Sequence, residues 1–187
     1  AGAYSVSVAE HAIGLALAAA KDIARDTEAI RRRVFDQEGV HKLFRGSTLL
    51  VVGLGGIGRE VARLGRAFGM RVLGVRRSSG PAPDADEVGG LADLPRLAAR
   101  ADVVVLALPL TRDTEGLVDA GLLRRMKEDA VLVNVGRGKL VAEDDLYEHL
   151  AAHPRFRAGL DVWWTYPDGK AGRPFRRPFH ELPNVVM

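Results

Sequence analysis

Gly53, Gly55 and Gly58 stand in the order G-x-G-x-x-G, between the apolar, β-branched run Leu49 to Val52 and an amphipathic stretch. That order suits phosphate chemistry. Gly53 permits a tight turn, Gly55 lets a pyrophosphate approach the backbone, and Gly58 lets the following helix pack close to the strand. The phosphates then rest on N–H groups at the helix N-terminus, the turn that Gly56 and Ile57 occupy. An empty glycine-rich turn is the plainer reading. Strand, turn, helix and second strand (Arg71 to Val75) are all in register, which favours a bound dinucleotide.

The second strand ends in Arg76, Arg77, Ser78 and Ser79. In NAD-binding versions of this unit an acidic residue about 20 positions on takes the ribose hydroxyls. No acid stands here. Two guanidiniums and two hydroxyls suit a phosphate instead, because Arg meets phosphate oxygens with paired donors. NADP(H) is the expected cofactor. A merely solvated basic turn would leave NAD(H) as the alternative.

Ligands of an open α/β sheet sit beyond the carboxyl ends of its strands. Three further segments should therefore converge on the same crevice: Pro109 to Thr114, Asn134-Val135-Gly136-Arg137-Gly138, and Asp161-Val162-Trp163-Trp164. Arg137 lies between two glycines just past a buried strand, free to face a ligand. It is equally placed to pair with Glu143 or Asp144, and spacing leaves both readings open.

The elements that must position these residues are legible as periodicity. Ser7 and Glu10 form an S-x-x-E box that predicts one helix from about Val8 to about Arg33, apolar first and charged later. Such an apolar helix outside the dinucleotide unit must be covered by another domain or subunit. Strands are expected at Val103 to Leu108, Val131 to Val135 and Arg157 to Leu160. Helices are expected at Leu94 to Ala101, from Asp119 to about Lys127, and at Glu143 to Ala152. Pro81 to Gly90 and Thr165 to Arg177 read as loops. This alternation predicts an α/β fold: a Rossmann doubly wound parallel sheet in three α/β/α layers, with a long N-terminal helix, occupying residues 1–187 as one nucleotide-binding domain.

The chain of 187 residues is long enough for one sizeable core. Its net charge of +3 is spread among acids with no basic tail, which argues against nucleic acid and fits an anionic cofactor. No cysteine is present, so thiolate chemistry and disulfides are out, in keeping with a cytoplasmic protein. The apolar segment Ala12 to Ala20 is too short to span a membrane. His149 and His153 lie one helical turn apart, but no third ligand accompanies them, so no metal site is expected. Trp163 and Trp164 are read as packing residues or as a ligand platform.

Taken together, VAEHAIGLALAAAK, LLVVGLGGIGREVARLGRAFGMRVLGV, LPLTRDTEGLV, LLRRMKEDAVLVNVGRGKLV, AGLDVW and ELPNVVM resemble the cofactor-binding domain of the D-isomer-specific 2-hydroxyacid dehydrogenases, in order and spacing. The N-x-x-R-G motif is the most specific of these. The resemblance implies that Arg137 holds a substrate carboxylate and carbonyl, and that Asp161 contacts the nicotinamide carboxamide. It also places Pro109 and Thr114 beside the cofactor. The implied activity is hydride transfer between nicotinamide and a 2-oxo or 2-hydroxy acid, of the glyoxylate or hydroxypyruvate reductase kind, in a homodimer built through Val8 to Ala20.

Two departures stand out. The family's Glu-Pro after L-D-V aligns with Tyr166-Pro167, so the acid–base His that the Glu orients would lose its charge partner and have a lower pKa. That His falls beyond Met187 in the family's spacing, and His180 aligns with a loop position instead. The chain is therefore expected to be an excised piece lacking the substrate domain, ending within a buried strand at Val185 and Val186. The Tyr also leaves a formate- or phosphite-dehydrogenase-like reading open. An NAD(H)-sensing, corepressor-like interaction module is the reading from outside enzymology.

Overall fold

In the computed structural model, which describes residues 2, 4–35, 39, 41–77, 82–166 and 172–187, every expected apolar run forms a strand. These are β1 (Thr48–Val52), β2 (Arg71–Val75), β4 (Val103–Leu106), β5 (Val131–Asn134) and β6 (Arg157–Leu160), joined by β3 (Glu87–Gly89) and β7 (Val185–Val186). Across the sheet the order is β3-β2-β1-β4-β5-β6-β7. Every neighbouring pair is parallel. Winding reverses between β1 and β4, the position where such sheets open a crevice. The Rossmann expectation is met.

The core is split by the sheet. Leu49 and Val51 pack to one side with α1 (Ser5–Ala20) and α3 (Gly56–Ala67). Leu50 and Val52 pack to the other side with α4 (Leu94–Ala98), α5 (Ala120–Leu123) and α6 (Glu143–Ala152). Burial on both faces is why these strands read as unbroken apolar runs rather than alternating ones.

The N-terminal helix differs from the sequence reading in three ways. It begins at Ser5 with Tyr4 as N-cap, and the Ser7–Glu10 box does not form. Instead the Ser5 N–H donates to the Gly2 carbonyl at 3.0 Å. The helix stops at Ala20, and α2 (Ile23–Arg31) starts after a break at Asp22, whose φ is 50°. The break follows from a tertiary contact: Arg157 Nε and Nη2 both donate to the Asp22 carboxylate at 2.7 Å. Finally, the apolar face of α1 needs no second domain to cover it. Ala9, Ala12, Ile13, Ala16, Ala19 and Ala20 are buried within the chain itself. Small residues allow close approach, and at Gly159 an added Cβ would stand 3.0 Å from the Leu15 Cβ.

Smaller differences have local causes. The stretch read as a loop before Gly90 contains β3, too short for a periodic signal. It is held at the sheet edge by Glu87, which accepts from Arg96 at 2.8 Å and Arg100 at 3.0 Å. Those guanidiniums hold the Glu87 carboxyl down at about 2. Asp119 caps α5 as expected, its carboxylate accepting from Leu122 N–H at 2.8 Å, but the helix ends at Leu123. Val185 and Val186 form a half-buried strand paired only with β6 among the described residues, not a fully buried one.

Candidate functional site

At the end of β1 the three glycines separate into two kinds. Gly53 has φ 104°, and a Cβ on it would lie 2.7 Å from the Ala107 carbonyl oxygen. A Cβ on Gly58 would lie 1.9 Å from the Gly53 carbonyl oxygen. Packing alone demands glycine at both. At Gly55 a Cβ would meet nothing within 4 Å. Gly55 is the extended N-cap of α3 with no side chain satisfying the first turn, in which Gly56 and Ile57 follow. An open space facing unsatisfied helix N–H groups fits a pyrophosphate.

That space opens into a cleft of about 360 Å³ lined by Gly53, Gly55, Arg76, Arg77, Pro109 and Thr114. The sequence reading named all six. It missed Arg59, which also lines the cleft and follows the third glycine directly, so its position in the first turn of α3 was the available signal. Asp113 is the one carboxylate among the described lining residues, and it comes from the loop after β4 rather than from the end of β2. Ser78 and Ser79 lie outside the described residues.

Thr114 shapes the wall of this cleft. It is buried, its hydroxyl donates to the Pro109 carbonyl at 2.9 Å, and the Thr111 N–H donates to it at 2.8 Å. Its hydroxyl is thus committed to folding the turn that carries Pro109.

Two strands away, β5 ends in the turn that carries Arg137. The Asn134 side chain is buried and committed at both ends: its oxygen accepts from Gly136 N–H at 3.1 Å, and its Nδ2 donates to the Arg137 carbonyl at 2.9 Å. Val135 and Gly136 are buried. Arg137 itself is exposed, with Nη1 donating to the Gly136 carbonyl at 2.7 Å. The competing reading, an ion pair with Glu143 or Asp144, fails. Glu143 accepts from the backbone N–H groups of Arg176 and Arg177 and from the Arg176 guanidinium, and Asp144 accepts from Arg176 at 2.8 Å.

Past β6, Asp161 pairs with His11 Nε2 at 3.1 Å, a contact that sequence reasoning missed because the two lie on separate elements. His11 sits in the second turn of α1. The two Trp side chains pack within the chain. Trp164 stacks on Phe179 with ring centres 5.1 Å apart and donates from Nε1 to the Val141 carbonyl at 2.7 Å, while Trp163 packs on Phe175. Gly138 makes room for that loop, since a Cβ there would lie 2.2 Å from Trp163 backbone. Tyr166 is exposed, its hydroxyl accepting from Trp163 N–H at 3.2 Å; Pro167 lies outside the described residues.

His149 and His153 stack with ring centres 4.2 Å apart. Burial, then the charges of His153 and Arg124, pushes His149 down to about 4. No group of three or more metal-ligating side chains occurs among the described residues. Among them, too, no helix is long and apolar enough to cross a membrane.

Known proteins resemble this chain over nearly its whole length. A hydroxypyruvate reductase from Thermotoga maritima is 34% identical over 186 residues, covering 99% of this chain and 59% of that protein. Among solved structures, a glycerate dehydrogenase related protein from Thermoplasma acidophilum superposes with a TM-score of 0.86 at 36% identity, over 99% of this chain and 62% of its own. An acyclic imino acid reductase solved with NADPH and D-arginine superposes with a TM-score of 0.84 at 32% identity, over 97% of this chain and 56% of its own. The chain thus spans less than two thirds of these relatives. Residues 13–187 match the model of the NAD binding domain of the D-isomer specific 2-hydroxyacid dehydrogenases, and the chain belongs to that family.

Proposed function

We propose that this chain is the nucleotide-binding part of an oxidoreductase acting on 2-oxo and 2-hydroxy acids, of the glyoxylate or hydroxypyruvate reductase type. The cofactor, when bound, supplies or accepts the hydride. The carrying observation is Arg137: exposed, flanked by glycines, and left without the carboxylates that would otherwise hold it. It lies on the same edge of the sheet as the α3 cradle, with β4 alone between β1 and β5, about 10 Å away at ordinary strand spacing. A guanidinium there binds a carboxylate through paired donors and stabilises negative charge developing on a carbonyl oxygen. Gly55, Gly56, Ile57 and Gly58 receive the pyrophosphate, with Arg59 beside them. The Asp161 carboxylate accepts from the carboxamide of the nicotinamide. Asn134, Val135 and Gly136 act by shaping the turn. A second domain outside this chain provides the remaining substrate contacts and the acid–base His.

NADP(H) is the preferred cofactor in this reading, with NAD(H) accepted more weakly. Support comes from Arg76 and Arg77 at the end of β2 and from the lack of a carboxylate on that side of the described cleft. Titration with NADPH and NADH, followed by fluorescence, tests it: equal affinities would refute it, and Arg76→Asp should move preference toward NADH. Turnover of glyoxylate and hydroxypyruvate by the intact protein tests the reaction.

Tyr166 in the place of the family's Glu favours a second reading, oxidation of formate or phosphite. Reduction of the cofactor by either anion, with no turnover of 2-oxo acids, would select it. If no substrate turned over, the remaining reading would be a dinucleotide-sensing interaction module. We place the protein in the cytoplasm as a homodimer. Since one face of α1 is covered by its own sheet, the contact falls on what stays exposed, including Val6, Ile23, Ile30, Val34 and Phe35. A monomer in light scattering of the intact protein would refute the dimer.

A further inference from the structure

We propose that His11 is the positioning residue for Asp161, and that through this contact α1 fixes the nicotinamide end of the cofactor site. The inference rests on the reading of Asp161 given above and adds a residue from an element outside the strand ends.

The contact follows from how α1 lies on β6. Along β6 and just beyond it, Arg157, Gly159 and Asp161 alternate onto one face of the sheet. Each meets the helical segment in turn: Arg157 holds Asp22, Gly159 meets Leu15, and Asp161 meets His11. The order is reversed along the chain, so α1 runs antiparallel to β6. The rises agree. From Gly159 to Asp161 is about 6.6 Å of extended chain. From Leu15 back to His11 is one helical turn, about 6 Å. The close approach at Gly159 and the bidentate pair at Asp22 thus set the register, and the register brings His11 Nε2 to 3.1 Å from Asp161 Oδ1.

Asp161 needs such a partner. Its N–H continues the ladder by donating to the Asn134 carbonyl at 3.1 Å, so its backbone is fixed. Its side chain is 40% exposed, and among the described residues His11 is its one side-chain partner. An exposed carboxylate without a partner samples several rotamers, and holding one of them in advance is what a positioning contact contributes to binding. The pair uses one carboxylate oxygen for His11 and leaves the other for a ligand's N–H.

The test separates the nicotinamide end from the rest of the cofactor. Affinity of the intact protein is measured for NADPH and for 2′-phospho-ADP-ribose, which keeps the adenine, riboses and diphosphate but lacks the nicotinamide. NADH and ADP-ribose form the parallel pair. His11→Ala should weaken dinucleotide binding about fivefold to tenfold, the worth of one ordinary hydrogen bond, and leave the nicotinamide-free ligand unchanged. His11→Gln, which keeps a donor, should recover most of the loss. In an Asp161→Ala background, His11→Ala should have no further effect. Thermal unfolding checks that the variants fold; both side chains are partly exposed, so intact folding is expected. Equal weakening of both ligands, no weakening of either, or an effect that persists without Asp161 would overturn the inference. If Asp161→Ala weakens the dinucleotide and His11→Ala does not, only the positioning role fails. If Asp161→Ala itself has no effect, the reading of Asp161 fails and this inference falls with it.

Discussion

Asn134 and Arg137 are joined by a hydrogen bond from a buried side chain to a backbone carbonyl, Asn134 Nδ2 to Arg137 O at 2.9 Å, so the exposed guanidinium is carried by a turn locked from beneath. Replacing Asn134 by Ala leaves the Gly136 N–H and the Arg137 carbonyl without these partners. We expect kcat/KM for 2-oxo acids to fall by about tenfold to a hundredfold, with stability lowered by about 1–3 kcal/mol. Arg137→Ala should reduce kcat/KM further, by about two to four orders of magnitude, while cofactor affinity stays close to that of the parent. Steady-state kinetics beside cofactor titration distinguishes the two. Near-normal turnover by the Arg137 variant would remove it from the chemistry.

Gly55 and Gly58 should respond oppositely to a side chain. Gly55→Val projects into open space, so stability should change by less than about 0.5 kcal/mol while dinucleotide binding is lost. Gly58→Ala drives a methyl into the Gly53 carbonyl and should cost about 1–3 kcal/mol. Chemical denaturation and cofactor titration read both. Undiminished binding by the Val variant would show that no ligand passes over Gly55.

His149 should give the stability curve an early acid limb. Burial and the neighbouring charges depress its pKa from 6.5 to about 4, so the unfolded chain takes up a proton that the folded chain refuses. Its stabilising contribution is complete above pH 6.5 and is lost as pH falls toward 4. Urea midpoints measured across that window should decline for the parent and stay flatter for His149→Phe. The same slope in both would assign the limb to other groups.

Asp22 acts at lower pH. Burial pushes its carboxyl up, yet the hydrogen bonds and charge of Arg157 outweigh this and hold it below 3.8. Its contribution is therefore present above that value and is lost as pH falls through the depressed one. Asp22→Ala leaves Arg157 unpaired against the sheet and should cost about 3 kcal/mol at neutral pH. A loss of only a few tenths, read by denaturation, would mean that the helix break is not held by this pair.

The sequence by itself determined the sheet, apart from its edge strand β3, and the glycine turn after β1. Val- and Leu-rich runs such as Leu49 to Val52 can be satisfied only by burial on both faces, and the glycine spacing ties the first of them to a helix N-terminus. Those are local properties, carried by neighbours in the chain. It could not determine where the N-terminal helix breaks. A capping box and continuous periodicity favour one helix, and only Arg157, 135 positions away, draws Asp22 out of it. Nor could it decide whether Arg137 is paired, because that depended on Arg176 reaching Glu143 and Asp144 from a distant loop. The His11–Asp161 contact is of the same kind. It arises from the packing register of a helix on a strand, and that register is set by the space left at Gly159 rather than by either residue's neighbours in sequence.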